Sequence, residues 1–478
     1  MSKPLKLTVL ADTHYYDAAL GTSGAAYALR SASDQKCLAE TDAILSAAFA
    51  EIAKSDTDAV LIAGDLSNDG ERICHEKMRE KLYALREKKP VFVTTATHDW
   101  CCDQNPRRFA GDKVYHDVET LSHEALYDFY ADFGVRGARD TFVTHLGTAS
   151  YLRDLSDSVV LLGLIDDQNG KGKAGYTPDH LQWILQTVRR EHENGKTVIA
   201  MQHHLLYPHI SPLVSSGACC GDREGLMEAL AEAGLRFLFV GHSHIQRVDC
   251  FRSSSGKELY EINVGSLCGY PAPRVEVEIT ETEVRLHTVL LKQFTYGGKT
   301  VDAQEYLSAH AVHLIGGVLF TLAHGEKSEI APKLASFGMS EEKAQSLADR
   351  FTPLLRQAAR FLLKATVKDL AKLLTHLPGG RELSREDVLA VQNMPLLSVV
   401  NDVFLSALSG VPLESTQPKA LVRLVLAVAN QPASILSALR IEDEKITSVA
   451  RELPHLVTEL CTGGTLDNQN LTIQRNEK

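Results

Sequence analysis

Five short stretches of this chain carry histidine and aspartate at spacings that suit metal binding. They are Asp12-Thr13-His14, Gly64-Asp65, Thr97-His98-Asp99, His203-His204 and Gly241-His242-Ser243-His244. Mixed histidine and aspartate ligation, with no cysteine required, suits borderline metals such as zinc, manganese or iron. Any one stretch alone is explained as well by a turn, a helix cap or a packed core pair. All five together favour a metal site.

Each stretch follows, directly or after one or two residues, a segment that the sequence predicts to be a β-strand. The segments are short and mostly apolar: Lys6–Ala11, Ala59–Ala63, Val91–Thr94, Thr197–Met201 and Arg236–Val240. Helical patterns separate them, and strands that alternate with helices predict an α/β domain. In such a sheet, ligands bind in the crevice beyond the carboxyl ends of the strands. We therefore expect the turns to bring these side chains to one rigid rim.

Asp65 is the residue best placed to join two metal ions. It leads its turn, and its neighbours are small or polar. One carboxylate bridges two ions when they lie about 3.5–4 Å apart, which is the spacing used for in-line displacement at phosphorus. Asp65 could therefore serve as the bridge between two ions.

The character of the sequence changes near residue 296, where strand patterns end and long helical patterns begin. Four prolines interrupt these patterns, and we expect them to break or kink the helices: Pro353, Pro395, Pro432 and Pro454. We predict an α/β domain over residues 1–295, a helical bundle over 296–462 and a polar, disordered tail over 463–478. The bundle carries no catalytic motif, which leaves open whether it covers the active-site rim, mediates oligomerisation or binds a partner.

Charge and composition narrow the class of protein. The chain has 478 residues, a net charge of −11 and a pI of about 6.0, which argue against binding to a nucleic-acid polymer or an anionic membrane. The first apolar run is too short for a signal peptide, and no segment approaches the roughly 18 apolar residues of a membrane span. Nine cysteines without an export signal indicate reduced thiols. We expect a cytoplasmic protein whose partner is a small phosphate ester.

In this order, the five stretches resemble the motif set of the calcineurin-like metallophosphoesterase superfamily. The stretch Ile262-Asn263-Val264-Gly265-Ser266, with Tyr270-Pro271 and Arg274, resembles the sequence after the last histidine motif in class III cyclic-nucleotide phosphodiesterases. The resemblance implies a four-layer α/β/β/α sandwich, here followed by an all-α carboxyl-terminal domain. It also implies a metal-dependent hydrolase of phosphate esters.

The resemblance further implies two divalent or trivalent metal ions, of manganese, iron or zinc. Asp12, His14 and His244 would hold the first ion, and His203 and His242 the second, with Asp65 between them. The superfamily uses an asparagine as a further ligand to the second ion, and Thr97 stands at that position here. Because a hydroxyl is a shorter and poorer ligand than an amide carbonyl, we predict weaker binding of the second ion.

The residues after Thr97 are candidates for acid–base chemistry. A hydroxide that bridges two cations is nucleophilic at neutral pH, and the cations also neutralise the phosphoryl oxygens. We expect His98 to donate a proton to the leaving alkoxide or to stabilise its charge. Asp99 would fix the orientation of His98 or brace the loop.

Three residues near the motifs are candidate substrate contacts, namely Asn68, His204 and Arg107. Asn68 is also explained by a helix cap, His204 by packing and Arg107 by a solvated loop. We expect a phosphodiesterase that acts on a nucleotide or another small phosphodiester. The alternatives are a phosphomonoesterase of nucleotides or sugar phosphates and a non-catalytic scaffold that retains the fold. A nuclease is disfavoured because no basic groove is evident.

Overall fold

The computed structural model describes residues 3–100, 106–335, 341–375, 384–432 and 444–475. The chain forms two compact units. The first comprises residues 1–207, 218–310 and 468–478, and the second comprises residues 208–217 and 311–467.

All strands within these ranges belong to the first unit. In chain order they are β1 (Leu5–Leu10), β2 (Ala59–Ala63), β3 (Val91–Thr94), β4 (Arg108–Ala110), β5 (Lys113–Tyr115), β6 (Asp140–Val143), β7 (Ala149–Ser156), β8 (Val159–Gly163), β9 (Thr197–Met201), β10 (Phe237–Val240), β11 (Arg247–Arg252), β12 (Glu258–Asn263), β13 (Pro273–Ile279), β14 (Glu283–Leu290), β15 (Gln293–Tyr296), β16 (Lys299–Asp302) and β17 (Asn470–Gln474). The strands predicted before the five histidine and aspartate stretches are all present.

The helices of the described ranges occur in both units. In chain order they are α1 (Ala25–Ser31), α2 (Thr41–Lys54), α3 (Arg72–Arg86), α4 (His123–Tyr130), α5 (Pro178–Glu193), α6 (Pro212–Ser215), α7 (Arg223–Ala233), α8 (Ala303–His324), α9 (Lys327–Ala335), α10 (Glu341–Lys364), α11 (Val367–Leu374), α12 (Arg385–Val391), α13 (Leu396–Ser409), α14 (Leu413–Thr416), α15 (Lys419–Ala429) and α16 (Glu444–Thr462).

Two sheets form the centre of the first unit. The six-stranded sheet has the order β17-β14-β13-β1-β2-β3, and the seven-stranded sheet has the order β11-β12-β10-β9-β8-β7-β6. In the first sheet β1, β2 and β3 run parallel. In the second sheet β8, β9, β10 and β12 do so. The carboxyl ends of the parallel strands therefore meet at one edge of each sheet, where ligands bind in such folds.

Helices cover the outer faces of both sheets. Val60 and Ile62 of β2 share a buried cluster with residues of α2 and α3. Alternate residues of β8 share another cluster with residues of α5 and α7. Between the sheets, the Tyr151 hydroxyl donates a hydrogen bond of 2.9 Å to the carbonyl oxygen of Val93. Each fully buried aliphatic side chain stabilises this arrangement by about 1.5–3 kcal/mol. The four-layer α/β/β/α fold, with a helical carboxyl-terminal region, is confirmed.

The predicted disordered tail is wrong for residues 470–475. Strand β17 pairs antiparallel with β14, and Ile473 is buried in the sheet. The Arg475 side chain donates hydrogen bonds to Thr197 Oγ1 and to the carbonyl oxygens of Ser158 and Thr280. Apolar residues at alternate positions 471 and 473 form the strand, although their neighbours are polar. Residues 476–478 lie outside the described ranges.

The first unit also extends beyond the boundary predicted after residue 295. Strands β15 and β16 form a hairpin, and Phe294 packs in the core beneath the six-stranded sheet. Leu307, near the start of α8, is fully buried in the same core. The helical pattern of α8 therefore begins inside the α/β unit.

Two of the four prolines do not interrupt their helices. Pro353 lies inside α10 and Pro454 inside α16, whereas Pro395 caps the start of α13 and Pro432 follows α15. An interior proline removes one backbone hydrogen bond but does not have to end a helix that packs along its length.

Helix α8 differs from the expectation that no segment reaches the length of a membrane span. It has 22 residues, its most apolar 18-residue window has a mean hydropathy of 1.5, and 39% of that window is buried within the protein. It is thus long and apolar enough to cross a bilayer by these two criteria. The core helix of a soluble protein meets the same criteria.

Candidate metal centre

The six predicted ligands lie together at the carboxyl ends of β1, β2, β9 and β10. His203 Nε2 is 3.0 Å from Asp65 Oδ2, and His244 Nε2 is 3.3 Å from Asp12 Oδ1. His14 Nε2 lies 3.6 Å from both of these carboxylate oxygens. His242 Nδ1 is 3.1 Å from His203 Nε2.

Within this cluster, the ligand atoms form groups in which every pair of atoms is within 4.8 Å. One group is Asp12, His14 and His244, and a second is Asp65, His203 and His242. These are the two sets that the resemblance assigns to two ions. A third group joins His14 and Asp65 to His98, so His98 reaches the same cluster from its rim.

Two of the histidines are oriented by hydrogen bonds on the ring nitrogen that faces away from the cluster. His203 Nδ1 donates to the carbonyl oxygen of Ala63 at 2.9 Å, and His244 Nδ1 donates to Gln35 Oε1 at 3.1 Å. Both rings therefore present the Nε2 lone pair to the carboxylates of Asp12 and Asp65. Lone pairs that converge on carboxylate oxygens need a positive charge between them, and a metal ion supplies it.

The pKa values of the clustered side chains are consistent with a positive charge between them. Burial lowers the pKa of His203, but the Asp65 and Asp12 carboxylates raise it to about 10. These carboxylates therefore favour a positive charge at this position. Burial raises the pKa of Asp12 and Asp65, yet the neighbouring histidines hold both well below their ordinary value. Both carboxylates are thus kept ionised and ready to bind a metal.

Both carboxylates are also fixed by the backbone. The N–H of His242 donates to Asp12 Oδ1 and Oδ2 at 3.1 and 2.9 Å. The N–H of His98 donates to Asp65 Oδ1 at 3.0 Å. Asp65 Oδ2 remains directed at His203 and His14. Each loop therefore positions a ligand that belongs to another loop.

The ligands occupy strained backbone. Of the eight non-glycine residues with positive φ in the described ranges, five are predicted ligands: Asp12, His14, Asp65, His242 and His244. Such left-handed conformations cost about 1–3 kcal/mol each and persist where the surrounding structure enforces them. Their concentration here indicates that the turns are shaped for ligand geometry at the expense of stability.

Two glycines are required for the ligands to approach one another. A Cβ on Gly64 would lie 2.7 Å from His203 Nδ1, and one on Gly241 would lie 2.4 Å from Asp12 Oδ2. Real Cβ atoms do not come this close to other heavy atoms. The glycine that precedes Asp65 and the glycine that precedes His242 therefore leave room for a ligand from the other sheet.

The structure distinguishes between the two roles considered for Asp99. Its carboxylate accepts backbone hydrogen bonds from Leu66, Ser67 and Ala96 at 2.8–3.2 Å, so it braces the loops and does not orient His98. Asp69 is the residue that orients the His98 ring, because its Oδ1 lies 2.9 Å from His98 Nδ1. Burial and the charge of Asp65 raise the pKa of Asp99 to about 7.

His204 lies beside the cluster, whereas Asn68 bonds to the turn that precedes α3. The His204 ring packs 4.4 Å from that of His242, and its Nδ1 lies 3.2 Å from Asp166 Oδ2. The Asn68 amide donates to the carboxylates of Asp69 and Glu71 at 3.1 Å. Asn68 thus bonds within the turn before α3, and its side chain does not cap that helix, whose first residue follows Glu71.

Arg107 and Thr97 complete the predicted set. Arg107 Nη2 lies 3.8 Å from Asp69 Oδ2, on the side of the carboxylate away from His98. Thr97 is 8% exposed, and its hydroxyl has no hydrogen-bond partner among the described residues. A buried hydroxyl of this kind fits a position beside a metal or a water.

Sequence reasoning missed Gln35, Lys36 and Asp166. Asp166 follows strand β8 by a few residues, so the same strand-end signal that selected the other ligands also marks it. Gln35 and Lys36 lie in the loop between α1 and α2, where no local pattern points to the site. Only the fold brings that loop to His244.

Comparison with known proteins agrees with this geometry. The family model for calcineurin-like phosphoesterases matches residues 5–246. A comparison with curated proteins finds no match.

Solved structures that resemble the chain include three hydrolases. A dimetal phosphatase from Danio rerio is 14% identical with a TM-score of 0.42, over 63% of this chain and 100% of that one. The purple acid phosphatase from yellow lupin seeds is 12% identical with a TM-score of 0.41, over 63% of this chain and 53% of that one. A 5′-nucleotidase precursor from Thermus thermophilus is 12% identical with a TM-score of 0.36, over 69% of this chain and 64% of that one.

Proposed function

Because the chain belongs to the calcineurin-like phosphoesterase family and is a metal-dependent phosphoesterase, we propose that it hydrolyses a small phosphodiester, such as that of a nucleotide, at two metal ions. The observation that carries the proposal is the pair of ligand groups, one with Asp12, His14 and His244 and one with His203 and His242, that meet at Asp65. Family membership implies a dinuclear centre, and these two groups offer one site for each ion.

The metals, when bound, supply positive charge to the phosphoryl oxygens and activate a water molecule for attack. The side chains of the protein would hold the two metal ions in position. Asp12 and Asp65 are held by backbone N–H groups, and His203 and His244 by acceptors behind their rings. A rigid, pre-ordered ligand shell needs no reorganisation during the reaction.

His98 is the proposed proton donor to the leaving alkoxide. Its side chain is 24% exposed, whereas Asp12, His14, Asp65 and His203 are buried, and its ring packs edge-on 4.8 Å from that of His14. Burial and the charge of Lys36 oppose protonation, but the Asp65 and Asp69 carboxylates raise the pKa of His98 above its ordinary value. Both carboxylates thus favour the protonated ring that a general acid requires.

A preference for diesters is supported by the resemblance to class III cyclic-nucleotide phosphodiesterases after residue 261. That stretch lies against the cluster: the Ser266 hydroxyl donates to the carbonyl oxygen of Asp12 at 2.9 Å, and the Asn263 amide donates to the Ser243 hydroxyl. This stretch therefore helps to fix the conformation of the turns that carry Asp12, His242 and His244.

The test combines metal analysis with two chromogenic esters. The purified chain, loaded with Mn²⁺, is expected to bind two ions and to hydrolyse bis-p-nitrophenyl phosphate with a kcat/KM at least tenfold above that for p-nitrophenyl phosphate. The reverse preference would show a phosphomonoesterase. Hydrolysis of neither ester by the loaded protein would favour a scaffold that retains the fold.

Asp65→Asn is the matched variant for this test. The amide keeps the shape but removes the charge that both ligand groups share. Metal content should fall below two ions, and kcat should fall by at least a thousandfold. Asp117→Asn serves as the control because Asp117 is an exposed carboxylate whose one ion pair among the described residues is with Arg108, and it should change neither quantity.

A further inference from the structure

A cavity of about 260 Å³ lies at the edge of the seven-stranded sheet opposite the metal centre. Thr197 at the start of β9, Arg236 directly before β10 and Lys257 directly before β12 line it. Strands β9 and β10 run from this edge towards the candidate ligands His203 and His242. The cavity is therefore separate from the metal centre. Since a water molecule takes roughly 30 Å³, the cavity has room for an anion several times that size.

Four cations line this cavity, and none of the described lining residues is a carboxylate. The cations are Lys196, Arg236, Lys257 and Arg475. Lys257 Nζ donates to the carbonyl oxygen of Glu232 at 2.9 Å and lies 3.9 Å from the carboxylate of that residue. The described wall of the cavity is therefore positively charged.

Two other lining cations have carboxylate partners that they share. Asp154 Oδ1 accepts hydrogen bonds from Lys196 Nζ at 2.7 Å and from Arg139 Nη1 at 3.1 Å. Glu258 Oε2 lies 3.1 Å from Arg236 Nη2, and its Oε1 lies 2.7 Å from a second guanidinium group. Neither Asp154 nor Glu258 lines the cavity, so their charges offset those of the wall from outside it.

Arg475 is the lining cation with neutral partners. It is 9% exposed, and no carboxylate oxygen of the described residues lies within 4.0 Å of its guanidinium nitrogens. These nitrogens donate to Thr197 Oγ1 and to the carbonyl oxygens of Ser158 and Thr280, at 2.7–2.8 Å. Two of the five N–H groups of an arginine then remain for a ligand. Burial lowers the pKa of Arg475, while the charge of Glu281 acts in the opposite direction.

The cations around the cavity come from both sheets. Arg475 directly follows β17 of the six-stranded sheet, whereas Arg236 and Lys257 precede strands of the seven-stranded sheet. Arg236 Nη1 also donates to the carbonyl oxygen of Gln474 at 2.8 Å, which brings the two sheets together at this edge. An anion that contacts cations of both sheets binds only the folded arrangement and therefore stabilises it.

We propose that this cavity binds a phosphate group, as free phosphate or on a small organic molecule, and that the bound anion holds the two sheets together at the edge opposite the metal centre. Arginine binds phosphate through parallel N–H groups, and lysine adds a point charge. A doubly charged anion also offsets several cations of one wall at once. The site goes beyond the hydrolysis proposed above, because none of its described lining residues is a candidate metal ligand.

Calorimetry and thermal unfolding of the full-length, Mn²⁺-loaded chain test the site. The ligands are inorganic phosphate and phenylphosphonate, which carries an organic group and has no ester bond to hydrolyse. Each should bind and should raise the Tm above its value in chloride at the same ionic strength. A Kd for phenylphosphonate at least threefold below that for phosphate identifies an organic phosphate as the ligand, and a smaller ratio identifies free phosphate.

The variants assign the binding to the cavity. Lys257→Met should raise the Kd at least tenfold and remove most of the Tm increase, with metal content unchanged. Lys196→Met should act in the same direction and serves if Lys257→Met does not fold. Lys88→Met is the control, because Lys88 is exposed just beyond the end of α3, and it should bind as the wild type does. Asp65→Asn, which alters the metal centre, should also keep the cavity's affinity.

Three results would overturn the inference. The first is a wild-type Tm that is the same in phosphate, phenylphosphonate and chloride. The second is an unchanged Kd in folded Lys257→Met or Lys196→Met. The third is binding that Asp65→Asn loses and Lys257→Met keeps, because the anion would then lie at the metal centre. Hydrolysis of esters is measured separately, so the cavity and the proposed function stand or fall independently.

Discussion

Two histidine–aspartate pairs flank the metal-ligand cluster, one from each sheet. On the six-stranded side, His98 Nδ1 lies 2.9 Å from Asp69 Oδ1. On the seven-stranded side, His204 Nδ1 lies 3.2 Å from Asp166 Oδ2. The sequence marks both histidines in the same way, as residues in turns after buried strands. Their surroundings differ, and this difference separates their roles.

His98 is open to a substrate, whereas His204 is enclosed. The His98 side chain is 24% exposed and that of His204 is 6% exposed. Asp166 Oδ2 also accepts the backbone N–H of His204 at 2.6 Å, so one oxygen holds both ends of the residue. The backbone N–H of His98 is bound instead to Asp65, which couples His98 to the ligand that both groups share.

The second oxygens of the two aspartates meet opposite environments. Asp69 Oδ2 faces the guanidinium groups of Arg30 and Arg107. Asp166 Oδ1 is buried and has no hydrogen-bond partner among the described residues. A cationic setting suits a place where an anionic substrate enters, while the enclosed pair packs against His242. We therefore propose that the first pair serves proton transfer and that the second positions His242, a candidate ligand of the second ion.

The largest effect should come from removing the two histidines in turn. We expect His98→Ala to lower kcat by about 10²–10⁴, the usual contribution of a general acid, with two ions still bound. His204→Ala should lower kcat by about tenfold at most and should weaken the second ion, because the His242 ring loses its packing partner. Steady-state kinetics and metal analysis measure both.

His116→Ala is the control for these variants, since His116 is exposed on the surface. It should match the wild type in rate and in metal content. Equal losses of kcat in His98→Ala and His204→Ala would contradict the distinction between the two pairs.

The next effect concerns the aspartates. Asp69→Asn should lower kcat by about 10–100-fold, because the amide no longer holds the His98 ring in its protonated form. Asp166→Asn should leave kcat nearly unchanged. In the His98→Ala background, Asp69→Asn should add little further loss, since residues that act as one unit are not additive. Full additivity would show that Asp69 acts apart from His98.

The ligand set was accessible to sequence reasoning because each ligand is tied to a strand end. Asp12, Asp65, His203 and His242 follow short apolar runs directly or after one residue, and parallel strands bring such positions to one edge. The α/β fold followed from the same strands. Pattern and position together therefore sufficed for the fold and for the side chains that meet at this edge, while their division between two ions came from the family resemblance.

The remaining features depend on distances that sequence does not contain. Asp69 and Asp99 both follow a strand at short range, and only the folded loops show which one reaches His98. Lys36 and Gln35 lie in a loop with no strand before it. Strand β17 is stabilised by pairing with β14, far away in the chain, and this pairing outweighs its polar composition.

The smallest effect should appear at the second ion, where the sequence offers Thr97 in place of an asparagine. Thr97→Asn adds an amide carbonyl that reaches farther than the hydroxyl, so we expect the second ion to be retained several times longer during mild chelation. Thr97→Val removes the hydroxyl but keeps the shape, and it should match the wild type if that hydroxyl is not a ligand. The measurement is the number of ions bound after timed dialysis against a chelator, with loss of the second ion before the first in the wild type. Two ions that leave the wild-type chain at the same rate would show that the Thr97 position does not weaken one half of the centre relative to the other.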